Sequence, residues 1–190
     1  NIKNDRVLNI LIKKMAESVK QPLSYNRLKN VIVATGSPIS VPTTIDYVDY
    51  ASDSWLILPM ENEVGKLTEK EMQKKYYFVD NGLLNLFLMN SETSLLENMV
   101  AVELFRRYGK ENVYYLNADK EIDFIVPDEK LAIQVSYNIK DETTYNREVP
   151  PLAKYAKAHE NWKCLLITYD EEGTEEVIPV VPVWKWLMEM

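Results

Sequence analysis

The sequence predicts an α/β chain of the α+β kind, made of two segments with different layouts. Three observations support this. Apolar residues recur at helical spacing in three stretches before residue 54, and two β-rich runs follow. After residue 80 the order becomes helix, three strands, helix, strand, strand, a mixed layout with hairpins rather than a strict βαβ repeat. Finally, 46% of the 190 residues are apolar and 27% charged, the balance of a globular chain long enough to bury a real core. The segments are placed at residues 1–79 and 80–190.

In the first segment, Val7, Leu8, Leu11, Ile12 and Met15 mark a helix over residues 4–19, capped by Asn4 or Asp5 and stopped by Pro22. Ser24 caps a second helix from Tyr25 to about Val33, on which Leu28, Val31 and Ile32 share a face. Gly36-Ser37-Pro38 breaks the chain, and a third helix runs from Val41-Pro42 to about Asp53. Trp55 to Leu58 and Tyr76 to Val79 read as two strands joined by a charged loop. Three helices and a ribbon form the winged-helix layout, whose third helix would enter the major groove of DNA. That helix carries Asp46, Asp49 and Asp53 and no Lys or Arg, so phosphates repel it. Residues 1–30, with seven basic and two acidic side chains, offer the better phosphate contact. Tyr47, Tyr50, Trp55, Trp184 and Trp186 lie in apolar periodic stretches without neighbouring basic clusters and read as core.

In the second segment, Asp80-Asn81-Gly82 starts a short helix from Leu83 to Leu88, and the longest helix runs from Ser91 to Tyr108. Strands follow at 113–117, 121–126 and 131–136, and Pro150-Pro151 precede or open a helix ending near His159. Strands at 163–169 and 176–181 lead to a closing helix or packed end around Trp184 and Trp186. Residues 1–80 hold eleven basic against ten acidic side chains, whereas residues 81–190 hold eleven against nineteen. The acidic second segment is therefore a poor nucleic-acid surface.

Cys164 lies in a strand-like apolar run and reads as a small core residue, and one cysteine allows no internal disulfide. A single histidine, His159, leaves no histidine-rich metal site and argues against a Ser-His-Asp triad. No apolar run approaches the ~18 residues of a membrane span, and no export signal opens the chain, so a cytoplasmic location without membrane contact is expected. The chain begins with Asn1 rather than Met and is expected to be a fragment of a longer protein.

Chemistry concentrates between Leu95 and Ser136. Strand alternation puts Ile122, Phe124 and Val126 on one face and Asp123 on the other. If residues 127–130 form the turn, Val126 pairs with Leu131 and Asp123 lies across from Gln134, with Ser136 on the same face as Gln134. Glu97 is in line with Ala101, Leu104 and Tyr108 and borders the buried stripe of its helix. Two hairpin carboxylates and a helix glutamate would hold Mg²⁺, with a lysine to orient water and stabilise phosphate charge.

This constellation resembles the PD-(D/E)XK nuclease superfamily, which implies a restriction-endonuclease-like mixed-sheet domain over residues 80–190. By that resemblance Asp123 stands at the metal-binding aspartate, Gln134 at the second acidic position, Ser136 at the lysine position and Glu97 at the helix glutamate. Asp123 and Glu97 are then the metal candidates, while Lys140 and Lys154 are the nearby lysines that could replace the missing one.

A wider resemblance covers nearly the whole chain. Lys75-Tyr76-Tyr77-Phe78-Val79-Asp80-Asn81-Gly82-Leu83, Leu95-Leu96-Glu97-Asn98, Val113-Tyr114-Tyr115, Glu121-Ile122-Asp123-Phe124 and the ending from Ile178-Pro179-Val180 to Trp186 occur in this order. They look like the C-terminal region of predicted prokaryotic AAA+-type ATPases, a winged-helix-like segment followed by a domain of unknown function with a nuclease-like core. The resemblance implies an ATPase domain upstream. Within the chain, Gly65-Lys66-Leu67 lacks the upstream glycine and the Ser/Thr of a phosphate-binding loop.

Gln134 keeps an oxygen but no charge, and Ser136 supplies no cation. The expected function is therefore an accessory domain of an ATPase, its core degenerate and inactive, serving protein interaction or assembly. The alternatives are a Mg-dependent nuclease and a winged-helix DNA-binding module. No cofactor is expected in the fragment unless the core is active, when it would take Mg²⁺; ATP with Mg²⁺ belongs to the upstream domain. The expected partners are that ATPase domain and a further protein, with nucleic acid disfavoured by charge.

Overall fold

Val7, Leu11, Ile12, Met15 and Ala16 fall on one side of a helical repeat, and they are the buried residues of α1 (Asp5–Glu17). The Asn4 side chain caps this helix by accepting from the Val7 N–H. The computed structural model describes residues 4–89, 91–118 and 121–189. Within them the chain forms two units, one of residues 1–61 and 65–91, the other of residues 62–64 and 92–190.

In the first unit, β1 (Leu23–Ser24) leads into α2 (Tyr25–Ala34), which Ser24 caps through a bond from the Arg27 N–H. Helix α3 (Val41–Asp53) begins at Ser40 with Pro42 in its first turn, and buries Thr44, Tyr47, Val48 and Ala51. Strands β2 (Ile57–Met60) and β3 (Gln73–Phe78) pair antiparallel, and β1 joins the other edge of β3. The loop expected between the two strands contains a short helix, α4 (Leu67–Met72). Helix α5 (Asn81–Asn85) also belongs here, so the division falls at Ser91 rather than at Val79. Tyr47 is core as expected, whereas Tyr50 and Trp55 are exposed. Asp46, Asp49 and Asp53 line the solvent side of α3.

In the second unit, α6 (Glu92–Tyr108) precedes a six-stranded sheet. Its strands are β4 (Tyr114–Asn117), β5 (Glu121–Val126), β6 (Leu131–Val135), β7 (Lys163–Thr168), β8 (Gly173–Glu175) and β9 (Ile178–Pro182). Their order is β4-β5-β6-β7-β9-β8; β6, β7 and β9 run parallel and the outer strands antiparallel. The edge strand β8 was not anticipated from the sequence. Helix α7 (Glu142–Ala158) covers one face, where Val149, Leu152 and Ala153 pack on Ile125, Ala132, Cys164, Leu166, Ile178 and Val180. Helix α8 (Val183–Met188) closes the chain against α6, where the Arg107 guanidinium lies 4.4 Å above the ring of Trp186. Trp186 is buried, but Trp184 is exposed.

Two expectations are corrected here. Helix α7 begins at Glu142, eight residues before Pro150, behind the Asp141 cap, and carries both prolines inside it. Neither proline has an N–H, so the Asn146 and Arg147 carbonyls lose their usual donors four residues on. Burial of Val149, Leu152 and Ala153 in one apolar cluster offsets that loss.

Strand β5 also departs from strict alternation. Tyr114 and Leu116 of β4 pair with Ile125 and Ile122, so three steps on β5 oppose two on β4. This bulge at Asp123-Phe124 brings Ile122 into the same cluster as Ile125.

Candidate functional site

The hairpin register is the one expected from the sequence. Residues 127–129 form a 3-10 turn, Lys130 takes a left-handed conformation (φ 49°), and Val126 pairs with Leu131. Continuing the ladder sets Asp123 opposite Gln134, but there the side chains take over from the backbone. The Asp123 N–H donates to Gln134 Oε1 at 3.2 Å, and the Val135 N–H donates to Asp123 Oδ2 at 3.0 Å. Asp123 and Gln134 are only 6% and 5% exposed, so these bonds pair buried polar groups.

The network continues into α7. Gln134 Nε2 donates to Glu148 Oε2 at 2.5 Å, and the other Glu148 oxygen, Oε1, accepts from the Arg147 guanidinium at 2.6 Å. Glu148 is 5% exposed. Burial pushes its carboxyl above the usual range, and the negative charge of Asp123 pushes it further; the bonds from Gln134 and Arg147 oppose the rise. Arg147 is held charged by Glu148 and lies within the field of Asp123.

Hydrogen bonds thus join Asp123 and Gln134, as the register predicts, to two residues that the sequence did not single out, Glu148 and Arg147. Glu148 and Arg147 were missed because the helix was expected to open at the prolines. The available signal was the four-residue spacing of Glu148 and Leu152, which extends the apolar stripe of α7 back to a glutamate. Ser136 turns to its own loop, donating from Oγ to the Asn138 carbonyl at 2.7 Å. Glu97 is buried on α6, 3% exposed. Neither candidate lysine joins the network: Lys140 is exposed and lies 3.8 Å from Glu171, and Lys154 is exposed on α7. Among the described residues, no group of three or more His, Cys, Asp or Glu side chains is arranged to hold a metal ion. Cys164 is buried on β7, and burial raises its thiol pKa, so it is core rather than nucleophile. No helix among the described residues is long and apolar enough to cross a membrane.

Residues 1–94 match the family model described as a domain of unknown function, DUF8612. Two curated relatives are similar over almost the whole chain. Uncharacterized protein MJ1544 of Methanocaldococcus jannaschii is 34% identical over 98% of this chain. An uncharacterized protein of Haemophilus influenzae is 29% identical over 99% of it. The chain spans 44% and 47% of the lengths of these two relatives. No solved structure matches it significantly.

Proposed function

We propose that this chain is a non-catalytic accessory module of a larger AAA+-type ATPase, a winged-helix-like segment joined to a degenerate nuclease-like core that serves protein interaction or assembly in the cytoplasm. The observation that carries this reading is the buried network of Asp123, Gln134, Glu148 and Arg147. Both Glu148 oxygens and Asp123 Oδ2 already accept hydrogen bonds from protein donors. Such bonding ties β5, β6 and α7 together, a bracing role for the positions where a nuclease would hold its metal.

The donor set does not fit Mg²⁺. An octahedral ion needs oxygens free to face it, but here Asp123 Oδ2 and both Glu148 oxygens already face N–H donors, one of them the Arg147 guanidinium. Gln134 offers no negative charge, and Ser136 is engaged in its own loop. The length of the relatives supports the module reading as well, because the matched region is less than half of each.

The test is incubation of the chain with linear and supercoiled DNA in Mg²⁺ or Mn²⁺. No cleavage above a protein-free control is expected. Cleavage that disappears in Asp123→Ala would overturn the non-catalytic reading in favour of a metal-dependent nuclease.

A further inference from the structure

Beyond the network, the parallel strands β6 and β7 end side by side, and the loops after them are hydrogen-bonded into one surface. The Ser136 N–H donates to the Ile167 carbonyl at 2.9 Å, and the Tyr169 N–H to the Tyr137 carbonyl at 3.2 Å. The Ile139 N–H donates to Glu171 Oε2 at 2.8 Å, and Thr168 Oγ1 to the Glu171 carbonyl at 2.6 Å. On this frame the rings of Tyr137 and Tyr169 stack at 4.8 Å with planes only 13° apart. Tyr169 is 50% exposed, so part of the stacked pair is open to solvent. The carboxyl ends of parallel strands are where α/β sheets commonly receive ligands.

Charge decides what fits there. Tyr169 is followed by Asp170, Glu171 and Glu172, and Glu92 lies at the start of α6. Burial, then the negative charges of Glu92 and Asp170 among its neighbours, push the Tyr137 phenol upward, so both carboxylates act on the ring pair. Lys140 and Lys185 answer Glu171 and Glu172, but among the described residues no cation pairs with Glu92 or Asp170. A solvent-exposed tyrosine ring in a negative field attracts a guanidinium or ammonium group, and that field repels phosphate.

We infer that the stacked Tyr137–Tyr169 pair, flanked by Glu92 and Asp170, is a docking surface for an arginine- or lysine-bearing segment of a protein partner. The inference rests on the interaction-module reading above and gives its partner a chemistry. The platform's hydrogen-bonded loops are already ordered, so docking need not first freeze them.

The experiment titrates the full chain with a short oligoarginine peptide by calorimetry at low and high salt. An oligoglutamate peptide and single-stranded oligothymidylate serve as comparison probes. Oligoarginine should bind, more weakly at high salt, with affinity about fivefold or more lower in Tyr169→Ala and retained in Tyr169→Phe. Asp170→Asn should weaken it too, whereas Asp46→Asn on α3 should not. The inference is overturned if oligoarginine does not bind, if Tyr169→Ala binds it as wild type does, or if oligothymidylate binds in its place. Failure of the peptide arm leaves the module reading standing, since that reading falls only to Asp123-dependent cleavage.

Discussion

Glu148 shows how one side chain extends the Asp123–Gln134 pair into a buried hydrogen-bonded network. Its carboxyl is raised by burial and by Asp123, so the folded chain holds that proton more tightly than the unfolded chain does. The resulting stabilisation is complete below the unfolded carboxylate range and is lost as pH rises through the folded value. Wild-type stability should therefore fall with pH across that window, for this group. Glu148→Gln removes the titration while keeping an amide oxygen for Gln134, so its unfolding free energy relative to wild type should improve as pH rises. Denaturant unfolding at stepped pH checks this, and two parallel stability–pH curves would refute it. Asp123 and Gln134 were legible as a facing pair because hairpin register follows from turn length and alternation. Their bonding was not, because the partner that closes the network comes from fourteen residues further along the chain.

At the scale of elements, α7 is the decisive case. Two adjacent prolines read locally as a helix boundary, since each removes an N–H and crowds the preceding turn. The structure carries the helix through them because Val149, Leu152 and Ala153 are buried against the sheet. Replacing Leu152 with alanine should then cost about 3 kcal/mol, as for a fully buried leucine, whereas Lys154→Ala on the exposed side should change stability by less than about 0.5 kcal/mol. Thermal or denaturant unfolding measures both. Equal effects would mean that α7 does not bury the face described. The bulge in β5 is the same lesson in a strand: period-two counting set the hairpin register correctly but could not foresee an extra residue dictated by the pairing of Tyr114 and Leu116.

Over the molecule, charge separates the readings that topology leaves open. The first unit holds three helices and a small three-stranded sheet, and Asp46, Asp49 and Asp53 stand exposed along α3. Repulsion from Asp53 and Asp46 adds to burial in raising the Asp49 carboxyl, a sign that these charges already oppose one another. Gel-shift or anisotropy titration with duplex DNA near physiological salt should detect no binding tighter than the non-specific range of about 10⁻⁴ to 10⁻⁶ M. Tight binding lost on charge reversal at Lys13, Lys14 or Arg27 would instead assign DNA contact to α1 and α2.

The sequence by itself determined the elements that depend on local patterning. Apolar spacing, a cap at Asn4 or Asp5, the Ser24 cap and Pro42 in a first turn located α1 to α3, and alternation with a short turn located the β5–β6 hairpin. It also marked Asp123 and Gln134 as neighbours. Only the tertiary structure decided that Glu148 and Arg147 complete their network, that α7 survives two prolines, and that Tyr137 and Tyr169 meet across separate loops. The physical reason is range. Caps, turns and periodicity act within a few residues, while burial and buried hydrogen bonding join residues that only the packed sheet brings together.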